Sequence, residues 1–134
     1  MFPEVVIIRE SIRFPPKRSE MANPVTHFEV LGKDAAALQS FYGQAFDWQL
    51  EDVMNGSYYM VHPGGGVEGG VGAAPGSDGH VTFYVEVDDP AAALEKIGSL
   101  GGSTVQEPMD VPGGPTIALF ADPEGHVIGL VKAQ

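Results

Sequence analysis

In Thr26-His27-Phe28-Glu29-Val30 an imidazole and a carboxylate stand two residues apart, so a strand formed there presents both on one face. That pairing suits proton transfer or the polar end of a ligand pocket. The plainer reading is a histidine satisfied by hydrogen bonds inside a sheet. Tyr58, Met60, Thr82, Tyr84 and Phe120 interleave polar tips with apolar bodies on predicted strands, a composition suited to a small-molecule pocket with few placed hydrogen bonds. An aromatic stripe on a sheet also serves as ordinary core. The pocket is therefore read as His27, Glu29, Tyr58, Met60, Thr82, Tyr84 and Phe120. Glu29 and Glu86 are its candidate acids or bases, with solvent-facing strand carboxylates as the alternative. His80 adjoins a Gly-Ser-Asp-Gly loop and is expected at the surface. His62 is expected at the pocket mouth or in a loop, and His126, after a turn glycine, is expected to point away from the pocket.

Other chemistries are excluded by what is missing. The chain has no cysteine, so thiolate and disulfide chemistry are absent. Gly64-Gly-Gly66 and Gly69-Gly70 are followed by neither a helix start nor Gly-Lys-Ser/Thr, so they read as a hairpin turn and a strand cleared of side chains, not a phosphate loop. No nucleophile elbow accompanies a Ser-His-Asp set. Formal charge is −11, and residues 21–134 carry 3 basic and 15 acidic groups. Such a surface repels phosphate backbones and anionic lipid and favours neutral or cationic partners, with plain solubility as the bland reading. Neither nucleic acid nor membrane is an expected partner. No run approaches the roughly 20 apolar residues of a membrane helix, and Val5-Val-Ile-Ile8 is too short for a signal-peptide core, so a cytoplasmic protein is expected.

The elements that must position these residues follow from patterning. Residues 1–20 hold four of the seven basic side chains and a Pro15-Pro16 break, and read as an N-terminal extension, with Glu4 to Arg9 as a possible accessory strand. From residue 24 the order is strand (Val25 to Leu31), a helix capped by Asp34 with Leu38, Phe41, Tyr42 and Ala45 on its apolar face, then strands at Trp48 to Val53, Ser57 to His62 and Val67 to Ala73. Asn55-Gly56 marks a hairpin. After the loop Ala74 to Gly79 the order returns: His80 to Val87, a helix opened by Asp89-Pro90, then Thr104 to Gln106, a loop Pro108 to Pro115, and a closing hairpin Thr116 to Ala121 and Val127 to Val131 around Asp122-Pro-Glu-Gly125. Phe28, Val30 and Asp34 recur as Phe83, Val85 and Asp89, 55 positions on. A repeated βαβββ unit, in modules 24–74 and 79–133 of one domain over 21–134, implies two similar sheets that bury their apolar faces together.

This order, together with the Thr26–Val30 strand, the helix end Phe41-Tyr42 and Phe46-Asp47-Trp48, Gly69-Gly70, Val85-Glu86-Val87-Asp88-Asp89 and the Asp122 hairpin, resembles the vicinal oxygen chelate superfamily of glyoxalase I, bleomycin- and fosfomycin-resistance proteins and extradiol dioxygenases. The resemblance implies an α+β fold in which two βαβββ modules form a curved eight-stranded cup, binding of a small organic molecule inside it, and a homodimer. It also implies a divalent metal held at four strand positions. Here those are His27, a residue near Gly69 or Gly70, Thr82 and Gly129, so three of the four lack a ligand. A shifted set of His27, Glu68 and His80 is the remaining candidate, since residues two apart on a strand share a face at about 6.6 Å. The expected function is metal-free small-molecule binding, with no cofactor and a ligand that the acidity suits to positive charge. A metal-dependent lyase, isomerase or dioxygenase is the alternative, and a structural or regulatory dimer with a vestigial cup the third reading.

Overall fold

The computed structural model describes residues 22–134, and the expected extension and accessory strand of residues 1–20 lie outside the described residues. The elements are β1 (Val25–Gly32), α1 (Ala35–Phe46), β2 (Gln49–Asp52), β3 (Tyr58–His62), β4 (Glu68–Ala73), β5 (His80–Val87), α2 (Pro90–Ser99), β6 (Ser103–Asp110), β7 (Thr116–Ala121) and β8 (Val127–Lys132). The strands form one eight-stranded sheet in the order β2-β3-β4-β1-β5-β8-β7-β6, an α+β architecture.

Local chemistry sets the boundaries. The Asp34 carboxylate accepts from the Ala37 amide at 3.0 Å, and the Asp89 carboxylate accepts from Ala91 and Ala92 at 3.0 and 3.2 Å, supplying partners for amides that a helix start leaves unpaired. Asn55 and Gly56 both adopt positive φ, 50° and 85°, and Ser57 N–H bonds Met54 C=O at 3.1 Å, the turn whose twist matches a two-residue hairpin. At the last hairpin Asp122 Oδ1 accepts from the amides of Glu124 and His126, and its Oδ2 meets His126 Nδ1 at 2.9 Å.

The halves join along β1 and β5, which pair antiparallel with Phe28 opposite Phe83, while β4 and β8 flank them in parallel. Both helices cover the same face. Phe28 packs on Trp48, which stacks on Tyr42 of α1, and Leu130 forms a core with Leu94 of α2, Ala118, Val85 and Ile97. Strand alternation then leaves His27, Glu29, Thr82, Tyr84 and Gly129 on the opposite face, called open because neither helix covers it, although Thr82 and Tyr84 are themselves buried there.

Two expectations are corrected. The strand expected at Thr104 to Gln106 runs on to Asp110 through Pro108. It is tolerated there because β6 is an edge strand, with register shifts between Thr104 and Gln106 and between Gln106 and Met109. Phe41, expected in the core, is 61 % exposed. The half-buried stripe of α1 runs through Leu38, Gln39, Tyr42 and Gly43, and Phe41 lies beside it with its ring edge-on to Tyr42.

Candidate functional site

Glu29 sits on β1 between Gly70 of β4 and Thr82 of β5. Because Gly70 carries no side chain, a residue from the strand beyond it can reach Glu29. Tyr58 of β3 does so. A Cβ built on Gly70 would overlap the Tyr58 hydroxyl, and one on Gly72 would run into the Tyr58 ring. On the other side Tyr84 of β5 lies over Gly129 of β8, where a Cβ would strike its ring. The two glycines thus seat two tyrosines whose hydroxyls converge on one carboxylate. Tyr58 donates to Glu29 Oε2 at 2.9 Å and Tyr84 to Oε1 at 3.2 Å.

His27 joins this group through Nε2, 3.1 Å from the Tyr58 hydroxyl oxygen, and its ring meets Tyr84 edge-on with centroids 5.5 Å apart. His80 Nε2 stands 3.8 Å from Glu29 Oε1, outside hydrogen-bond reach. Burial pushes the Tyr58 and Tyr84 hydroxyls well above the ordinary tyrosine value, and the Glu29 charge adds to it, so both are neutral donors at neutral pH. Burial also lowers His27 against the opposing pull of Glu29 and Glu68, which favours the uncharged ring.

Of the expected pocket residues, His27, Glu29, Tyr58 and Tyr84 are in mutual contact. Met60 lies on the same open face, with Gly70 as its β4 partner. Thr82 is 5 % exposed, and its hydroxyl donates to Val127 C=O at 2.7 Å, tying β5 to the start of β8. Phe120 is a correction. Its neighbour Leu119 pairs with Gly129 on the open face, so alternation turns Phe120 to the helix side, against the core of Leu94, Ala118 and Leu130. His62 belongs to β3 rather than a loop, bridging Glu51 and Glu68 at 3.1 Å each.

The residues do not fit a resident divalent ion. His27 and Glu68 are cross-strand partners, but His27 Nε2 is engaged by Tyr58, Glu68 bonds His62 and His80 approaches Glu29, so His27, Glu68 and His80 do not converge as a set of three. Among the described residues no three His, Cys, Asp or Glu side chains form a metal-holding group. At the other strand positions Gly70 and Gly129 offer no ligand atom, and tyrosine occupies the space a ligand there would cross.

A repeated βαβββ sheet with both helices on one face and a polar cluster on the other defines a two-module α+β fold. Residues 25–130 match the Glyoxalase/Bleomycin resistance protein/Dioxygenase superfamily, and the chain belongs to that family. It is 30 % identical over 122 residues to the anthracycline biosynthesis protein DnrV of Streptomyces peucetius, covering 77 % of this chain and 44 % of that protein. It is 40 % identical over 57 residues to lactoylglutathione lyase of Salmonella typhimurium, covering 42 % of this chain and 41 % of that one. The chain spans less than half the length of the curated relatives it matches. Its fold resembles methylmalonyl-CoA epimerase from Mycobacterium tuberculosis (TM-score 0.63, 15 % identity, 82 % of this chain and 87 % of that one). It also resembles the Mn(II)-bound glyoxalase from Novosphingobium aromaticivorans (TM-score 0.59, 19 % identity, 83 % and 40 %). Among the described residues no helix is long and apolar enough to cross a membrane.

Proposed function

We propose that this chain binds a small organic molecule on the open face of the sheet without a resident divalent metal. The observation that carries this reading is the Tyr58–Glu29–Tyr84 cluster seated on Gly70 and Gly129, which takes the room where the resemblance implies metal ligands. The relatives' names, an anthracycline biosynthesis protein and a lyase of lactoylglutathione, place small organic molecules in the chemistry of those proteins. The −11 formal charge favours a cationic ligand at long range, weakly once screened by salt.

The test is a thermal melt of chelator-stripped protein titrated with manganese, nickel, zinc and iron(II). A resident metal at 100 times its dissociation constant would add about 2.7 kcal/mol and raise the midpoint by roughly 10 °C. The expected result is no such rise with any metal. A rise of that size that vanishes in His27→Ala would overturn the reading and make a metal-dependent lyase, isomerase or dioxygenase primary.

We also propose a homodimer. On the helix side, between α1 and α2, Val81 and Phe83 of β5 are 74 % and 40 % exposed, an apolar seam that a second copy would cover.

A further inference from the structure

We propose that the anchoring group of the ligand is a cationic nitrogen bearing N–H donors, a protonated amine or amidine, seated on the Glu29 carboxylate. This rests on reading the open face as a metal-free binding site, and it follows from where the protons go.

A tyrosine hydroxyl has one proton. Tyr58 places its proton toward Glu29 Oε2 and Tyr84 toward Oε1, so both hydroxyl donors are committed inside the protein. With its proton on Glu29, the Tyr58 oxygen can only accept from His27, so His27 carries its proton on Nε2 and its Nδ1 is an acceptor. The Thr82 hydroxyl, next to Glu29 across the β1–β5 pair, is committed to Val127 C=O. What the cluster still offers is the unfilled lone pairs of Glu29 and the Nδ1 of His27. All of these accept. A ligand that meets them must donate.

Charge points the same way. The Glu29 side chain is 12 % exposed, and no Lys or Arg among the described residues pairs with it. A carboxylate so withdrawn from water gains most from a cation that also brings hydrogen bonds. A carboxylate or phosphate would meet the Glu29 charge and, His80 apart, only acceptors. Among the described residues His80, 3.8 Å away, is the basic side chain placed to compete for Glu29.

The test uses four probes of matched size against the isotopically labelled chain at neutral pH and low salt: naphthylmethylamine, its trimethylammonium analogue, naphthylmethanol and naphthoate. Binding is followed by chemical-shift titration. The amine should bind saturably with shifts at Glu29, Tyr58 and Tyr84. Its trimethylammonium analogue, which has the charge without the donors, should bind several-fold more weakly, and naphthoate should not bind. Glu29→Gln, which keeps the shape and an acceptor for one tyrosine, should weaken the amine at least tenfold while changing naphthylmethanol little. His80→Ala, removing the competitor, should tighten the amine. Equal or better binding of the alcohol or naphthoate at these residues, or an amine affinity unchanged in Glu29→Gln, would overturn the ligand class and leave the binding site standing. If no probe of any charge shifts the open-face residues, the binding-site reading itself falls, and the ligand class with it.

Discussion

A methyl group added at Gly70 would land on the Tyr58 hydroxyl, and one added at Gly129 on the Tyr84 ring, so each glycine is the floor on which its tyrosine lies. Neither position needs positive φ; what it needs is the absence of a Cβ. Gly70→Ala should therefore expel Tyr58 from Glu29 and cost about 1–3 kcal/mol in urea unfolding. In the double variant with Tyr58→Ala, which removes the clash, the two costs should not add. Additive losses would mean that Tyr58 does not rest on Gly70. The seat exists only because β4 lies between β3 and β1 in the sheet, so that Tyr58 must cross Gly70 to reach Glu29, and that strand order is why glycine-rich Val67 to Ala73 reads in the sequence as cleared space and not as a seat.

At the scale of elements, the rim of the first half depends on ion pairs across strands. His62 of β3 holds Glu51 of β2 at one ring nitrogen and Glu68 of β4 at the other, and both contacts raise its pKa above the ordinary histidine value. A group whose folded pKa is raised contributes stability that is fully present below its unfolded value, about 6.5, and is lost as pH rises through the folded value. The melting temperature of the parent chain minus that of His62→Gln should accordingly be positive at pH 5.5 and shrink toward pH 9. A difference constant over that range would show that the bridge adds no charge-dependent stability. The other end of the sheet behaves oppositely: backbone and side-chain bonds from His126 lower Asp122, so the turn between β7 and β8 is held from neutral pH down to below the ordinary carboxylate range. Both turns and both helix caps are written in local residue chemistry, and the sequence places them within a residue or two. The length of β6 is not so written, because Pro108 is acceptable only at an edge, and edge position is a property of the sheet.

For the whole molecule the pairing of β1 with β5 has two consequences. It runs the two halves into one sheet, so the Glu29 cluster is assembled from β1, β3 and β5 of a single chain. It also leaves Val81 and Phe83 exposed, at 74 % and 40 %, on the helix side. In solution the chain, 14.1 kDa by composition, should run at twice that mass by light scattering, and Phe83→Glu should return it to the monomer mass while the far-ultraviolet spectrum stays unchanged. A parent chain that is monomeric at micromolar concentration would reject the homodimer and leave the single-chain cluster untouched.

By itself the sequence determined the α+β class, the repeated βαβββ order, the caps and hairpins, and the face that His27 shares with Glu29, because each of these follows from short-range periodicity or the geometry of a few consecutive residues. It also pointed to Tyr58 and Tyr84 as pocket residues from their mixed character. Only the tertiary structure decided that both hydroxyls meet Glu29, that Glu68 bonds His62, and that Phe120 belongs under α2. Those outcomes depend on strand neighbours and register. Glu29 lies 29 residues from Tyr58 and 55 from Tyr84, and nothing local specifies which strand crosses which, or where a missing Cβ opens a path between them.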